Sequence, residues 1–330
     1  MGFSSVMQKI YFERGIFITW YCSVGDCTFC YMSTQKSRIK DPLMARRTKE
    51  SILAEVLLCK ILNWKIEFVS AGYGSYVFPD MVNMIKDIVS VYGEKVWLNI
   101  GALKEPQIKQ LKDYIVGVSG SIETLSPSIR GKVCPSKPLK WFEDMFGLCN
   151  QYGLKKAITI ILGLGETEDD FGYVKDFIAK HGIDQVTFYR LVPVKGTAFE
   201  NAAPITAEYF AGWIRRTKKD YPHLKIIAGS EEKYFEEFSG LIAAGADGVT
   251  KFHAIKKFGS GSAARMEFAV RSSGREMGSN MTQFPEVDIN SEVNALPFAD
   301  DLKERIASKL QVYLDTMKKS IHKNSIAVMQ

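Results

Sequence analysis

The stretch Ile16-Phe-Ile-Thr-Trp-Tyr-Cys22-Ser-Val-Gly-Asp-Cys27-Thr-Phe-Cys30-Tyr31 joins a β-branched, aromatic run to three cysteines separated by four and then two residues. The run predicts a strand, and the thiols follow in the loop that leaves it. Three thiolates in one short loop point to a metal, because soft sulfur ligands favour zinc or iron–sulfur clusters. Structural zinc takes four protein ligands, yet Cys59, Cys134, Cys149 and the four histidines lie far along the chain. A [4Fe–4S] cluster usually takes four cysteines, so three leave one iron open to a non-protein ligand. From this loop alone, a zinc knuckle completed by the fold and a set of buried thiols both stay open.

The surrounding chain has the composition of a globular protein, with 46% hydrophobic and 24% charged residues in 330. That length buries one large core or two ordinary ones. The net charge of +6 is spread along the chain. Pieces such as Arg46-Arg-Thr-Lys49 and Arg215-Arg-Thr-Lys-Lys219 read as solvated helix faces or anion-facing patches, and no nucleic-acid signal emerges. No apolar run reaches the length of about 18 residues that a membrane helix needs, and residues 1–14 lack a secretory pattern. Six cysteines do not form a disulfide framework in a chain this long. A cytoplasmic location is the expectation, and clustered thiols in a reducing compartment favour metal over bridging.

Outward from the cysteine loop, strands and helices alternate. Strands are predicted at Ile16–Tyr21, Lys65–Ser70, Lys95–Ile100, Ile115–Gly120, Ala157–Leu162, Gln185–Tyr189, Leu224–Ala228 and Gly248–Phe252. Helices between them are expected at Lys49–Leu62, Phe78–Val91, Pro106–Asp113, Leu139–Tyr152, Glu168–Lys180, Ala207–Asp220 and Glu231–Ala243. Eight strands separated by helices predict an α/β fold, a (β/α)8 TIM-type barrel with a C-terminal extension; a doubly wound sheet would show the same alternation. Residues 1–14 form an irregular or partly helical lead-in, 15–257 the barrel, and 258–330 a C-terminal segment. In that segment Met266–Arg271 reads as an extra strand or lid, with Arg271 and Arg275 over the barrel mouth or on the surface. A final helix spans Asp300–Lys318, and Lys323–Gln330 form a tail.

In such a barrel the working residues gather at the C-terminal ends of the strands. After the second strand, Ser70-Ala-Gly-Tyr-Gly-Ser75 lets the backbone approach a ligand closely or simply makes a tight turn. After the fourth, Ser121-Ile-Glu-Thr124 offers a carboxylate and a hydroxyl, to grip an amino group and a ribose or to cap the next helix. After the fifth, Gly163-Leu-Gly-Glu-Thr167 permits a tight passage beside a ligand, with Glu166 or Thr167 as helix caps; a generic turn reads the same way. After the sixth comes Tyr189-Arg-Leu-Val-Pro-Val194. Asn99, Thr159, Tyr189 and Arg190 are inward or strand-end candidates for substrate contact, or ordinary packing.

In this order the segments resemble the radical S-adenosylmethionine (SAM) superfamily, specifically the subgroup of biotin synthase, the [FeFe]-hydrogenase maturase and methylornithine synthase. The resemblance covers residues 16 to about 252. It implies that Cys22, Cys27 and Cys30 hold a [4Fe–4S] cluster whose open iron is chelated by SAM, with Phe29 in the family's aromatic position before the last cysteine. It also implies SAM contacts from Ala71, Gly72 and Tyr73, from Glu123 and Thr124, from Lys137 to the SAM carboxylate, and from Gly163, Gly165, Glu166, Leu191 and Val192. An electron from ferredoxin or flavodoxin would release a 5′-deoxyadenosyl radical to abstract hydrogen from a small-molecule substrate. Three departures stand out. The first cysteine spacing is one residue longer than the family's usual pattern, a feature associated with the proteins of [Fe]-hydrogenase guanylylpyridinol cofactor synthesis. The acidic end of the Gly-rich motif is missing near Gly74 and Ser75. The positions that hold biotin synthase's sulfur-donating second cluster are Val69, Trp97, Ala157 and Ser230, none of which replaces such a ligand, so sulfur insertion is not expected. Two rivals are a non-catalytic iron–sulfur or zinc scaffold delivering a cofactor precursor and a zinc-dependent barrel hydrolase.

Overall fold

In the computed structural model of the chain, residues 8–328 are described. Residues 1–7 of the expected lead-in and 329–330 of the expected tail lie outside the described residues. Eight parallel strands close into a barrel: β1 (Lys9–Phe17), β2 (Lys65–Ser70), β3 (Val96–Asn99), β4 (Ile115–Glu123), β5 (Lys155–Leu162), β6 (Gln185–Arg190), β7 (Lys225–Gly229) and β8 (Gly248–Thr250). Each pairs with the next, and β1 closes the ring by pairing with both β8 and β2. The expected (β/α)8 fold is therefore what the chain adopts. No helix among the described residues is long and apolar enough to cross a membrane.

The first strand starts earlier than its sequence suggests. Lys9–Arg14 belong to β1 rather than to an irregular lead-in, and the strand ends at Phe17, so Ile18–Tyr21 already lie in the loop. The reason is the alternation of Ile10 and Phe12, which are buried, with more polar neighbours, a period-2 pattern shortened by a bulge between Arg14 and Gly15.

Helix α1 (Tyr31–Gln35) follows the cysteine loop, and α2 (Lys49–Ile61) returns the chain to β2. In α2 every residue from Ser51 to Cys59 is buried, which a helix on an open barrel face could not achieve. Its outer cover is the C-terminal helix, whose Leu302, Ile306, Leu310, Leu314 and Met317 are buried. Glu55 on α2 binds Arg14 of β1 at 2.6 Å and Arg47 at 2.7 Å, while Tyr313 donates to the Ser51 carbonyl. Burial opposes the Glu55 charge, but the two arginines outweigh it and hold the carboxyl below its ordinary range.

The crossovers continue with α3 (Phe78–Tyr92), α4 (Glu105–Leu111), α5 (Pro127–Val133), α6 (Leu139–Gln151), α7 (Phe171–His181), α8 (Ala207–Asp220) and α9 (Phe238–Ala243). The last region departs from expectation. Met266–Arg271 is neither strand nor lid but part of α10 (Gly261–Ser272), an N-capped helix that packs against α9 as the eighth outer helix. Ser260 caps it by accepting from the Ala263 amide at 3.2 Å. A two-residue strand, β9 (Glu276–Met277), then pairs with Lys9–Ile10 at the N-terminal floor of the barrel. Arg275 donates to the Ala246 carbonyl just before β8 at 2.7 Å, so it and the exposed Arg271 sit at the floor and not over the mouth. After α11 (Ile289–Asn294), helix α12 runs from Asp300 to Val328, through most of the expected tail.

Candidate functional site

The cysteine loop crosses the C-terminal mouth of the barrel and is tied down on three sides. Ser23 donates its amide to the Tyr73 carbonyl at 2.8 Å, Thr28 to Val133 at 3.0 Å, and the Ala198 amide donates to Thr28 at 3.0 Å. These partners stand after β2, at the end of α5 and after β6. Gly72 is required for the first tie: a Cβ there would lie 2.2 Å from the Tyr21 carbonyl oxygen and 2.6 Å from Cys22 Cβ. The Gly-rich stretch thus presses directly on the first cysteine. Ala71 is buried and donates its amide to Asn99 at 3.2 Å. Tyr73 accepts the Ala102 amide at 2.9 Å and lies against Gly101, so its hydroxyl faces the β3–α4 loop.

Beneath the loop lies an ion pair. Lys137 Nζ is 2.7 Å from Glu123 Oε1, both side chains nearly fully buried. Burial by itself would lower the Lys137 pKa; the Glu123 carboxylate and the thiols of Cys134 and Cys27 more than offset it, and the pKa is raised. A bulge between Ser121 and Glu123 and a left-handed backbone at Glu123, φ 66°, aim the carboxylate inward. Such a conformation is uncommon outside glycine and gathers at functional sites. Arg130 secures the backbone beside Glu123 and that of Lys137, donating to the Thr124 and Lys137 carbonyls at 2.9 Å each. Thr124 itself accepts the Ser126 amide at 3.2 Å and is a local cap.

Cys134, far along the chain from the loop, is brought against it by the fold. It is buried, but it hydrogen-bonds to Cys27, and that bond, against burial and with help from Lys137, lowers the Cys27 pKa. Burial pushes the Cys30 thiol up to about 11. Cys59 lies in the core and Cys149 in a helix, both fully buried, as expected of packing cysteines.

The third part of the mouth is apolar. Leu164, Leu191, Val133 and Cys134 form a small buried cluster against which Phe29, Cys27 and Ile161 pack. Gly163 and Gly165 make their turn at φ 106° and 111°. Glu166 does not reach outward: its two oxygens accept the Gly163 amide at 2.6 Å and the Leu164 amide at 2.9 Å, so its part is to hold the turn. Leu191 donates its amide to Leu162 at 2.9 Å, and the half-buried Val192 follows it.

Of the four substrate candidates, three belong to the interior. Asn99 accepts from Ser121 at 2.6 Å, and Thr159 is buried on β5 in register with Ser121 and Thr187. Tyr189 crosses the barrel to donate to Glu67. Arg190 lies elsewhere than expected. It points through the opposite face of β6, where it pairs with Glu237 and lies 4.2 Å from the Tyr234 ring centroid, a buried structural ion pair outside the barrel. Alternation along the strand sends Tyr189 in and Arg190 out. Sequence reading also missed Glu67 and Lys251. The signal for Glu67 was an acid inside an otherwise apolar strand, Lys65-Ile-Glu-Phe-Val69. The signal for Lys251 was a lysine directly after the eighth strand.

The residues suit the expected cofactors chemically. Three cysteines share one tethered loop, the Cys27 pKa is lowered, and the buried Asp26 Oδ1 beside it has no hydrogen-bond partner among the described residues. Among those residues no group of three His, Cys, Asp or Glu converges as an ion site as it stands.

A parallel barrel with a thiol loop after its first strand and glycine turns after the second and fifth defines a class, and residues 16–178 match the family described as the radical SAM superfamily. The chain belongs to that superfamily, whose members are enzymes of reductive SAM cleavage and carry a [4Fe–4S] cluster. It is 36% identical to the uncharacterized protein MJ0597 of Methanocaldococcus jannaschii, over 95% of this chain and 91% of that one. It is 24% identical to a biotin synthase from Cenarchaeum symbiosum, over 76% and 80%. The fold is that of the [FeFe]-hydrogenase maturase HydG from Carboxydothermus hydrogenoformans, with a TM-score of 0.62 at 15% identity, over 95% of this chain and 82% of that one.

Proposed function

We propose that this radical SAM enzyme acts on a small-molecule cofactor precursor, and that its place is in [Fe]-hydrogenase guanylylpyridinol cofactor synthesis, as in HmdB (also called HcgA). The observation that carries the small-molecule reading is the polar interior below the cysteine loop, where Asn99, Ser121, Thr159, Tyr189, Glu67 and Thr250 face one another inside a closed barrel. The longer first cysteine spacing supports the pathway. The apolar Val69, Trp97 and Ala157, and Ser230 bound to Glu237, speak against sulfur insertion.

In this reading Cys22, Cys27 and Cys30 hold the [4Fe–4S] cluster, which with bound SAM supplies a 5′-deoxyadenosyl radical. Lys137 binds the SAM carboxylate, Glu123 and Thr124 its polar groups, and Gly163, Gly165, Leu191, Val192 and Phe29 flank its adenine. Ala71, Gly72 and Tyr73 face its amino group. The barrel wall excludes water from the interior. Ferredoxin or flavodoxin in a reducing cytoplasm delivers the electron. The surface beside the loop suits such an acidic carrier, since Trp20, Tyr31, Leu43 and Met44 are exposed among Lys36, Arg38 and Lys40.

The test is anaerobic reconstitution with iron and sulfide, EPR of the reduced protein with and without SAM, and assay of 5′-deoxyadenosine in the presence of dithionite. About four irons per chain, a signal that moves with SAM, and nucleoside release that Cys27→Ala abolishes are expected. Pyridinol precursors should accelerate that release and be consumed. Metal without SAM cleavage would instead support a delivery scaffold. Cleavage that pyridinols leave unchanged would return the pathway to the maturase-like or methylornithine synthase-like rearrangements.

A further inference from the structure

Lys251 follows β8 directly, in a left-handed conformation with φ 65° that only two other described non-glycine residues share, Asn63 and Glu123. The residue is exposed, and the protein around its ammonium lowers its pKa against the pull of Glu231, Glu67 and Glu123. Its place directly after β8 sets it at the C-terminal mouth of the barrel. The ammonium lies 5.0 Å from the Tyr189 ring centroid. That ring occupies space kept by Gly229, where a Cβ would be 2.2 Å from Tyr189 Cδ1.

Every nearby acid is already engaged. Glu67 accepts from Tyr189 and, at 2.7 Å, from Thr250. Glu123 is held by Lys137 at 2.7 Å, and Glu231 lies 3.3 Å from Lys233. Lys251 itself makes no hydrogen bond or ion pair among the described residues. A cation without a counter-ion, set against an aromatic face at the barrel mouth, gains when an anion arrives. One ammonium over one aromatic face matches a carboxylate better than a phosphate, which calls for several donors converging on its oxygens.

We propose that Lys251 is the anchor for a carboxylate on the substrate, holding that substrate against the Tyr189 ring and facing the Glu123–Lys137 pair across the mouth. The substrate class is thus a small organic carboxylic acid. The anchor rests on the radical SAM reading only for the direction of attack; the anion site stands on its own geometry.

The experiment is calorimetric titration of the reconstituted protein, without SAM or reductant, with benzoate, with benzamide and with inorganic phosphate. Saturable benzoate binding is expected, with no benzamide binding and weaker phosphate binding. Lys251→Met should weaken benzoate by roughly ten- to a hundredfold, the range of a charged hydrogen bond. Lys251→Arg should restore most of it. Methionine has a similar length and the same backbone demand at this φ, and the circular dichroism of each variant reports whether it folds. No benzoate binding by the wild type, binding that Lys251→Met leaves intact, or a preference for phosphate would each overturn the assignment. Because neither SAM nor reductant takes part, failure here is distinct from failure of the 5′-deoxyadenosine test.

Discussion

The two ends of the barrel are both rich in charge, and they use it in opposite ways. At the N-terminal floor a cleft is lined by Lys9, Lys65, Lys218 and Lys225 among others, and each of these has a carboxylate. Lys9 meets Glu276 at 3.5 Å, Lys65 meets Glu94 at 3.3 Å, Lys218 meets Asp247 at 2.7 Å and Lys225 meets Glu13 at 2.6 Å. At the mouth, Lys251 stands alone, Cys27 is held toward the thiolate, and two residues adopt left-handed backbones. These four floor lysines are already paired and ask for no ligand. The mouth keeps strained backbone and unspent charge where a reaction needs them, which is the usual division of labour in this fold.

The largest effect that would sharpen this contrast comes from the Glu123–Lys137 pair. Removing one partner leaves the other as a buried, unbalanced charge, so Glu123→Gln or Lys137→Met is expected to cost about 3–5 kcal/mol in urea unfolding. The double variant should recover most of that loss. Arg190→Met, which breaks a buried pair outside the wall, should cost a similar amount. The two pairs differ in function: the mouth variants should also abolish the SAM-dependent change in the EPR signal, while Arg190→Met should leave it intact. A SAM response that survives in Glu123→Gln and Lys137→Met would make the mouth pair merely structural, like the floor.

Glu67 tests the same contrast through pH. Burial outweighs the hydrogen bonds from Tyr189 and Thr250 and raises its carboxyl from about 4.5 to about 7. An acid with a raised folded pKa binds its proton more tightly when folded, so the folded state gains from it at low pH. That gain is fully present below the unfolded pKa and is lost as pH rises from about 4.5 to about 7. The loss amounts to roughly 3 kcal/mol at most. Glu67→Gln keeps an acceptor for one hydroxyl, offers the other an N–H to accept, and cannot ionise. Its stability relative to wild type should therefore climb across that window and level off above it, as read from unfolding midpoints at successive pH values. A constant difference between the two proteins would mean that Glu67 titrates normally and the interior is wet.

How much of this could be seen beforehand depends on periodicity and on depth. The alternation of eight strands with helices is local, and it carried the barrel; the glycine turns after β2 and β5 and the three cysteines are contiguous, and they carried the mouth. Lys9–Arg14 escaped because a bulge breaks the strand's period in midcourse, and Met266–Arg271 because a short amphipathic helix rich in Ala and Ser resembles irregular chain. Arg190 was misplaced by one step of alternation, since strand parity cannot be read from an end that has no turn signal. Cys134 touches Cys27 across more than a hundred positions, and Glu67 meets Tyr189 and Thr250 across the barrel. Pairs so distant in the chain become neighbours only when the sheet closes.

The smallest expected effect belongs to the floor and is the one that would break the contrast. Lys9 and Glu276 are each about half exposed, with side-chain accessibilities of 48% and 49%. Water and salt screen such a pair, and holding two mobile side chains together opposes its attraction, so its worth is about 0–1 kcal/mol. Lys9→Met is expected to shift the unfolding midpoint hardly at all, with the residual difference fading as salt is added. The backbone pairing of Lys9 with Glu276 survives the change, because β9 is held by main-chain bonds and by Gly278 lying against Tyr11. Turnover of SAM should match wild type, since the site lies at the other end of the strands. A Lys9→Met protein of normal stability but altered SAM cleavage would show that the floor speaks to the mouth through the strands, and the two ends could no longer be treated as separate.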